Sequence, residues 1–128
     1  LEHRFSVRER IGSFRFALRG IAIMMRSQHN AWIHCAASIA VVAMGFFLEL
    51  GAGDWAWLIL AMSMVWIAEA FNTALERLAD AAVPEFHPGI GAAKDAAAAA
   101  VLLAAIGSAI IGLLVLGPPL LARLGWAG

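Results

Sequence analysis

The run from Trp57 to Ala82, WLILAMSMVWIAEAFNTALERLADAA, is apolar enough to cross a bilayer, yet it carries Glu69, Asn72, Glu76 and Asp80. A segment of this length and hydropathy is read as a spanning helix. At about 100° per residue the four polar residues fall on one face, within roughly a third of the circumference. A carboxylate at membrane depth is costly unless it meets a partner, a metal or water. Three carboxylates on one stripe therefore argue against a passive anchor and mark this face as a candidate site.

The whole chain agrees with a membrane setting. Its 128 residues are 62% hydrophobic, and the mean hydropathy is +0.83. That is too apolar for a soluble domain of this size and long enough for about three spans. One integral membrane domain covering residues 1–128 is expected. The net charge of zero conceals an asymmetry, because six of the nine basic residues (Arg4, Arg8, Arg10, Arg15, Arg19 and Arg26) precede the first apolar run. Such a bias places that end on the cytoplasmic side. The one cysteine, Cys35, excludes an intrachain disulfide, and its apolar surroundings favour packing over redox chemistry. No secretory signal is expected, since the first apolar run begins near Ala31 behind a long basic segment and no small-residue cleavage pattern follows. Leu1 to His3 are expected to belong to a trimmed end.

An amphipathic helix is expected over about residues 5–27. Val7, Ile11, Phe14, Leu18, Ile21 and Met25 step by threes and fours along one face, with Arg8, Arg15, Arg19 and Arg26 about a quarter-turn away. A helix of this kind lies in the headgroup layer or packs on the protein's own spans. The spans are expected at about 30–50, 54–82 and 91–117, the last ending before Pro118 and Pro119. The linker ELGAGDW contains Glu49 and Asp54 but neither Lys nor Arg, as suits the outer side, and Trp55 and Trp57 stand where an aromatic belt would lie. The loop VPEFHPGIG ends the second span with two prolines and two glycines. On the third, Ala96, Ala100, Ala104, Ser108 and Gly112 make a small-residue strip for close helix packing. So small a monomer encloses little volume, and a homo-oligomer is the natural way to build a site.

If the second and third spans form a hairpin, the stripe EAFNTALERLAD meets Lys94 and Asp95 on the cytoplasmic side. Carboxylates, an amide and a lysine are the parts needed to hold Mg²⁺ and a polyphosphate against an acceptor hydroxyl. Hard oxygen ligands favour Mg²⁺ over Zn²⁺. No Walker loop, GxGxxG or HRD-type loop is present, so any nucleotide chemistry uses a different solution from the common soluble kinases.

The segments EAFNTALERLAD, EFHP and AAKDAAAAAVLLAA resemble the signature of the small prokaryotic integral-membrane kinases that phosphorylate diacylglycerol or undecaprenol. The similarity runs from SFRFALRG to the third span in the same order and spacing, and QHNAWIH resembles the ExNxxIH segment of the undecaprenol-kinase branch. One departure is Gln28, which stands where many relatives have a metal-holding glutamate. The resemblance implies an all-α membrane protein: three transmembrane helices preceded by an amphipathic surface helix, assembled as a homotrimer with composite sites near the cytoplasmic face of the bacterial inner membrane. It implies ATP as co-substrate, Mg²⁺ as cofactor, a membrane lipid alcohol as substrate and no nucleic-acid partner.

Transferred by position, the resemblance makes Glu69 the base for the lipid hydroxyl and Glu76 the principal Mg²⁺ ligand, with Gln28 offering an amide oxygen. Asn72 orients phosphate or substrate, and Lys94 contacts the ATP phosphates with Asp80 and Asp95 orienting it and the nucleotide. Glu85 and His87 match nucleotide-contacting loop positions, and Phe16 matches an aromatic beside the adenine.

Plainer readings stand beside these. Glu69 as a buried protonated carboxyl, Asn72 as interhelical glue, Glu76 and Asp80 as solvated helix-end charges and Lys94 as a snorkelling residue all satisfy the pattern. Asn30, His34 and Ser38 recur every four residues on the first span, and helix–helix hydrogen bonding is the expectation for each. At the level of function, the alternatives are a small oligomeric ion or proton conductor lined by carboxylates, and an inactive membrane scaffold descended from the kinases.

Overall fold

The computed structural model describes residues 6–126. Arg4 and Leu1 to His3 lie outside the described residues. The chain forms four helices: α1 (Val7–Ser27), α2 (His29–Phe47), α3 (Ala52–Ala82) and α4 (Pro88–Arg123). Of these, α2, α3 and α4 are each long and apolar enough to cross a membrane.

Helix α1 starts where the sequence supplies a cap: Ser6 Oγ accepts from the Glu9 backbone N–H, satisfying a donor with no intrahelical partner. It packs on α3 through Ala17, Gly20 and Met24, which line a hollow with Thr73 and Arg77. The larger stripe of Val7, Ile11, Phe14, Leu18 and Ile21 stays exposed. Gln28, in extended backbone conformation, is at once the C-cap of α1 and the N-cap of α2. A single residue thus breaks one long helix into two.

The turn from α2 to α3 uses a left-handed residue. Glu49 has φ 54°, and the Leu50 N–H reaches back to the Gly45 carbonyl at 3.2 Å, the bonding of a helix-terminating Schellman turn. Gly45 is buried because the Trp55 ring lies on it, and Trp55 also stacks obliquely on Phe46 at 5.0 Å.

Helix α3 is the axis of the fold. It carries most of the buried residues, Leu58, Ala61, Val65, Glu69, Asn72, Thr73 and Ala79 among them, and packs against α4 more extensively than any other pair of helices does. Ser108 Oγ donates to the Ala61 carbonyl at 2.6 Å, so the small-residue strip of α4 meets α3 at this level. Ala96 and Ala100, by contrast, remain exposed. The α3–α4 turn ends in a histidine cap followed by proline at the first helical turn: His87 Nδ1 accepts from the Gly89 N–H at 3.0 Å.

Three boundaries differ from expectation, the first being that α2 ends at Phe47 and not at Leu50, because the chain turns through left-handed Glu49. Helix α4 begins at Pro88, because proline is well suited to a first helical turn, and it does not end at Gly117 but continues through Pro118 and Pro119 to Arg123. Proline's fixed φ suits a helix, and what it costs is a donor and a fit against the preceding turn. Here the last turn is also tied down, since Arg123 pairs with Glu49 at 2.9 Å and lies over the Phe47 ring at 4.8 Å. The third apolar helix therefore reaches back to the α2–α3 turn.

Candidate functional site

The polar stripe of α3 divides into three levels. At the deepest, Glu69 is fully buried, with 0% of its surface exposed. Its nearest polar neighbour is His34 of α2, whose Nε2 lies 3.3 Å from Glu69 Oε2. The contact is close but misaligned for a hydrogen bond, and such bonds weaken steeply with angle. Both carboxylate oxygens and His34 Nε2 are therefore left unpartnered. Below this pair an apolar cavity of about 560 Å³ opens between α2, α3 and α4, with His34 on its wall.

At the middle level, the α1–α2 junction brings Gln28 to α3. Its Nε2 donates to Glu76 Oε2 at 2.7 Å, while Asn72 Nδ2 donates to Glu76 Oε1 at 3.3 Å. Both oxygens of Glu76 are thereby held by amides of neighbouring side chains. Asn72 Oδ1 is buried and unpartnered. At the outer level, Lys94 of α4 pairs with Asp80 at 2.9 Å across the α3–α4 hairpin. From Glu69 to Asp80 is about three helical turns, so the levels descend from a buried carboxylate to an exposed ion pair along a single face.

Five of the residues singled out in the sequence thus fall into two hydrogen-bonded groups, Gln28 with Asn72 and Glu76, and Asp80 with Lys94. The rest are placed elsewhere. Phe16 is exposed on α1 with Arg15 and Arg19 over its ring at 4.7 and 5.9 Å. His87 caps α4 through Gly89. Glu85 and Asp95 are exposed and make no hydrogen bond or ion pair with the stripe among the described residues. Of the row Asn30, His34 and Ser38, Ser38 does make a helix–helix bond, accepting from Trp66 Nε1 at 3.0 Å. His34 instead faces Glu69, a placement that periodicity on α2 alone does not single out.

Oxygen-bearing groups of the kind a hard cation prefers meet here, but as placed both amides turn their NH2 groups to Glu76, and the Gln28 amide must flip to offer an oxygen beside the carboxylate. One carboxylate and two amides converge with no thiolate among them, and a buried amide oxygen lacks a partner. No cluster of three or more His, Cys, Asp or Glu side chains occurs among the described residues. Within one chain the described residues therefore bring few acidic ligands together at this point.

Residues 15–116 match the family model described as prokaryotic diacylglycerol kinase. The chain belongs to that family. It is 40% identical over 119 residues to the undecaprenol kinase of Bacillus subtilis, covering 93% of this chain and 97% of that protein. It is 43% identical over 110 residues to the diacylglycerol kinase of a Synechocystis species, covering 85% of this chain and 63% of that relative. The family match contains all the α3 stripe together with Gln28 and Lys94, so the chain is a lipid kinase whose polar face lies within the family's own domain.

Proposed function

We propose that this lipid kinase transfers the γ-phosphate of ATP, with Mg²⁺, to the hydroxyl of a membrane-embedded lipid alcohol. The observation that carries the reading is the gradation along α3: a buried unpartnered carboxylate, then a carboxylate held by amides, then a lysine–aspartate pair. Each level suits a different part of one reaction.

Glu69 is the base. Its buried oxygens have no protein hydrogen-bond partner, which leaves a lone pair for an incoming hydroxyl. As the lipid oxygen forms its bond to the γ-phosphorus and the bond to the β-phosphate oxygen breaks, the hydroxyl proton passes to Glu69 and ADP leaves. Glu76 and Gln28 would hold Mg²⁺, which when bound supplies neutralisation of the polyphosphate charge. Asn72 orients phosphate or substrate, and its free, buried Oδ1 can accept from the acceptor hydroxyl. Lys94, fixed by Asp80, contributes positive charge to the phosphates as a point charge. Phe16, with Glu85 and His87, forms the nucleotide's outer surroundings, and Asp95 adjoins Lys94 to orient it.

Helix α3 has 31 residues, about 46 Å of rise, against a hydrocarbon core of ~30 Å. With Trp55 at the outer interface, Glu69 lies about 21 Å along the axis, inside the inner leaflet, while Glu76 reaches the inner boundary and Asp80 passes beyond it, where a soluble nucleotide can reach them. The site then lies at the cytoplasmic face of the bacterial inner membrane, and α1 lies on that face with its exposed apolar stripe in the headgroup layer. The wide apolar cavity of the lone subunit and the few protein ligands support a homotrimer with sites completed by a neighbour.

The relative matched nearly end to end is named an undecaprenol kinase, and undecaprenol is the first acceptor to test, with diacylglycerol the second. Purified chain in lipid nanodiscs, given radiolabelled ATP and each acceptor, is expected to move label into lipid with Mg²⁺ and not with EDTA. Charge movement across sealed vesicles without lipid labelling would favour the conductor instead, and neither activity would leave the inactive scaffold.

A further inference from the structure

We propose that His34 is the positioning residue of Glu69, holding one carboxylate oxygen so that the other faces the acceptor hydroxyl; this rests on Glu69 being the base. The two side chains come from different helices. Glu69 is completely buried and His34 nearly so, with 14% of its side chain exposed, and Nε2 stands 3.3 Å from Oε2. An ionised carboxylate in such a place is costly without a donor. Only Nε2 is near enough to supply one among the described residues, which assigns the hydrogen to that nitrogen.

The imidazole is itself held. Trp66 presents its ring edge-on to His34 at 6.2 Å and 73°, and the indole N–H is anchored on Ser38 Oγ, one turn along α2. His34 and Ser38 also share the wall of the apolar cavity, to which α4 contributes Ala105, Ser108 and Ala109 and no ionisable group. The indole packs against one side of the ring, and a small rotation of the side chain would bring Nε2–H into line with Oε2. Contacts of this kind are often loose before substrate arrives and tighten on binding. With Oε2 engaged, Oε1 becomes the free acceptor for the lipid proton. Without the histidine both oxygens compete for it and the carboxylate is free to rotate.

A double-mutant cycle tests this with full-length protein in nanodiscs. His34→Leu should lower kcat roughly 10-fold or more while leaving KM for ATP unchanged, and His34→Gln, which retains an amide donor, should recover most of the loss. In a Glu69→Gln background the same His34→Leu change should cost less than about twofold, because there is no base left to position. Equal losses in both backgrounds, or full activity in His34→Leu, would overturn the proposal. Full activity in Glu69→Gln alone would instead remove the base reading. A measurement independent of turnover accompanies the cycle. Among the four histidines of the chain, the ¹⁵N signal of His34, assigned by its loss in His34→Gln, should shift in Glu69→Gln and stay fixed in Asp80→Asn. An unmoved signal in Glu69→Gln contradicts the contact itself.

Discussion

Gln28 illustrates how a single residue can join backbone geometry to chemistry. Its extended backbone ends α1 and starts α2, and the same turn aims its amide at Glu76. That amide gives one Glu76 oxygen a neutral donor at 2.7 Å. Replacing it by glutamate sets two carboxylates face to face, which is repulsive until a cation stands between them. Gln28→Glu is therefore expected to lower thermal stability in EDTA relative to the parent and to regain it with Mg²⁺, giving a steeper Mg²⁺ dependence. A melting temperature in the variant that does not respond to Mg²⁺ would place residue 28 outside the metal's reach. The stripe Glu69, Asn72, Glu76 and Asp80 is legible from residue identity and spacing, since the four share one helical face by arithmetic. The approach of His34 to Glu69 is not. It depends on the rotation and height of α2 against α3, which no periodicity within either helix determines.

At the scale of elements, the same distinction separates helix interiors from their ends. The three apolar helices follow from hydropathy, and the α3–α4 turn from VPEFHPGIG, where His87 and Pro88 supply a cap and a first turn. The continuation past Pro118 and Pro119 is hidden in the sequence, because a proline pair reads as a stop unless a distant anchor such as Arg123 on Glu49 holds the final turn. The α2–α3 corner depends on close approach. A Cβ built on Gly45 would come within 2.6 Å of the Trp55 ring, and the ring is already engaged with Phe46. Gly45→Ala should destabilise the fold by about 1–3 kcal/mol, as overpacking in a well-packed site does, read as a lower melting temperature in detergent. An unchanged melting temperature would mean that Trp55 swings away at no cost. The Gln28–Glu76 contact is remote from this corner and should survive the change.

The whole molecule is one long hairpin, α3 with α4, to which α2 and α1 are added around the polar face. Most of its large apolar side chains are exposed in the single chain, Phe71, Leu102, Leu103, Leu113 and Leu114 among them. Lipid or neighbouring subunits cover such a surface in a spanning protein. The charge distribution predicts an orientation with the N-terminal end inside, since the arginines cluster before α2 and the α2–α3 turn has no basic residue. A cysteine placed at Gly53 in a Cys35→Ala background should react with a membrane-impermeant maleimide added outside intact cells. Reaction only after the cytoplasm is opened would invert the molecule and carry the site to the wrong side for ATP.

The division of labour along α3 is tested most directly by comparing Glu69→Gln with Glu76→Gln in single-turnover kinetics at saturating Mg²⁺, alongside calorimetric binding of a non-hydrolysable ATP analogue. Glu69→Gln should bind the Mg²⁺–nucleotide normally while phosphoryl transfer slows by roughly 10²-fold or more, the scale of losing a positioned proton acceptor. Glu76→Gln should lose binding itself, because the cation's charged ligand is gone. Equal loss of binding in both variants, or unimpaired transfer in Glu69→Gln, would contradict the assignment of base and metal ligand on this face.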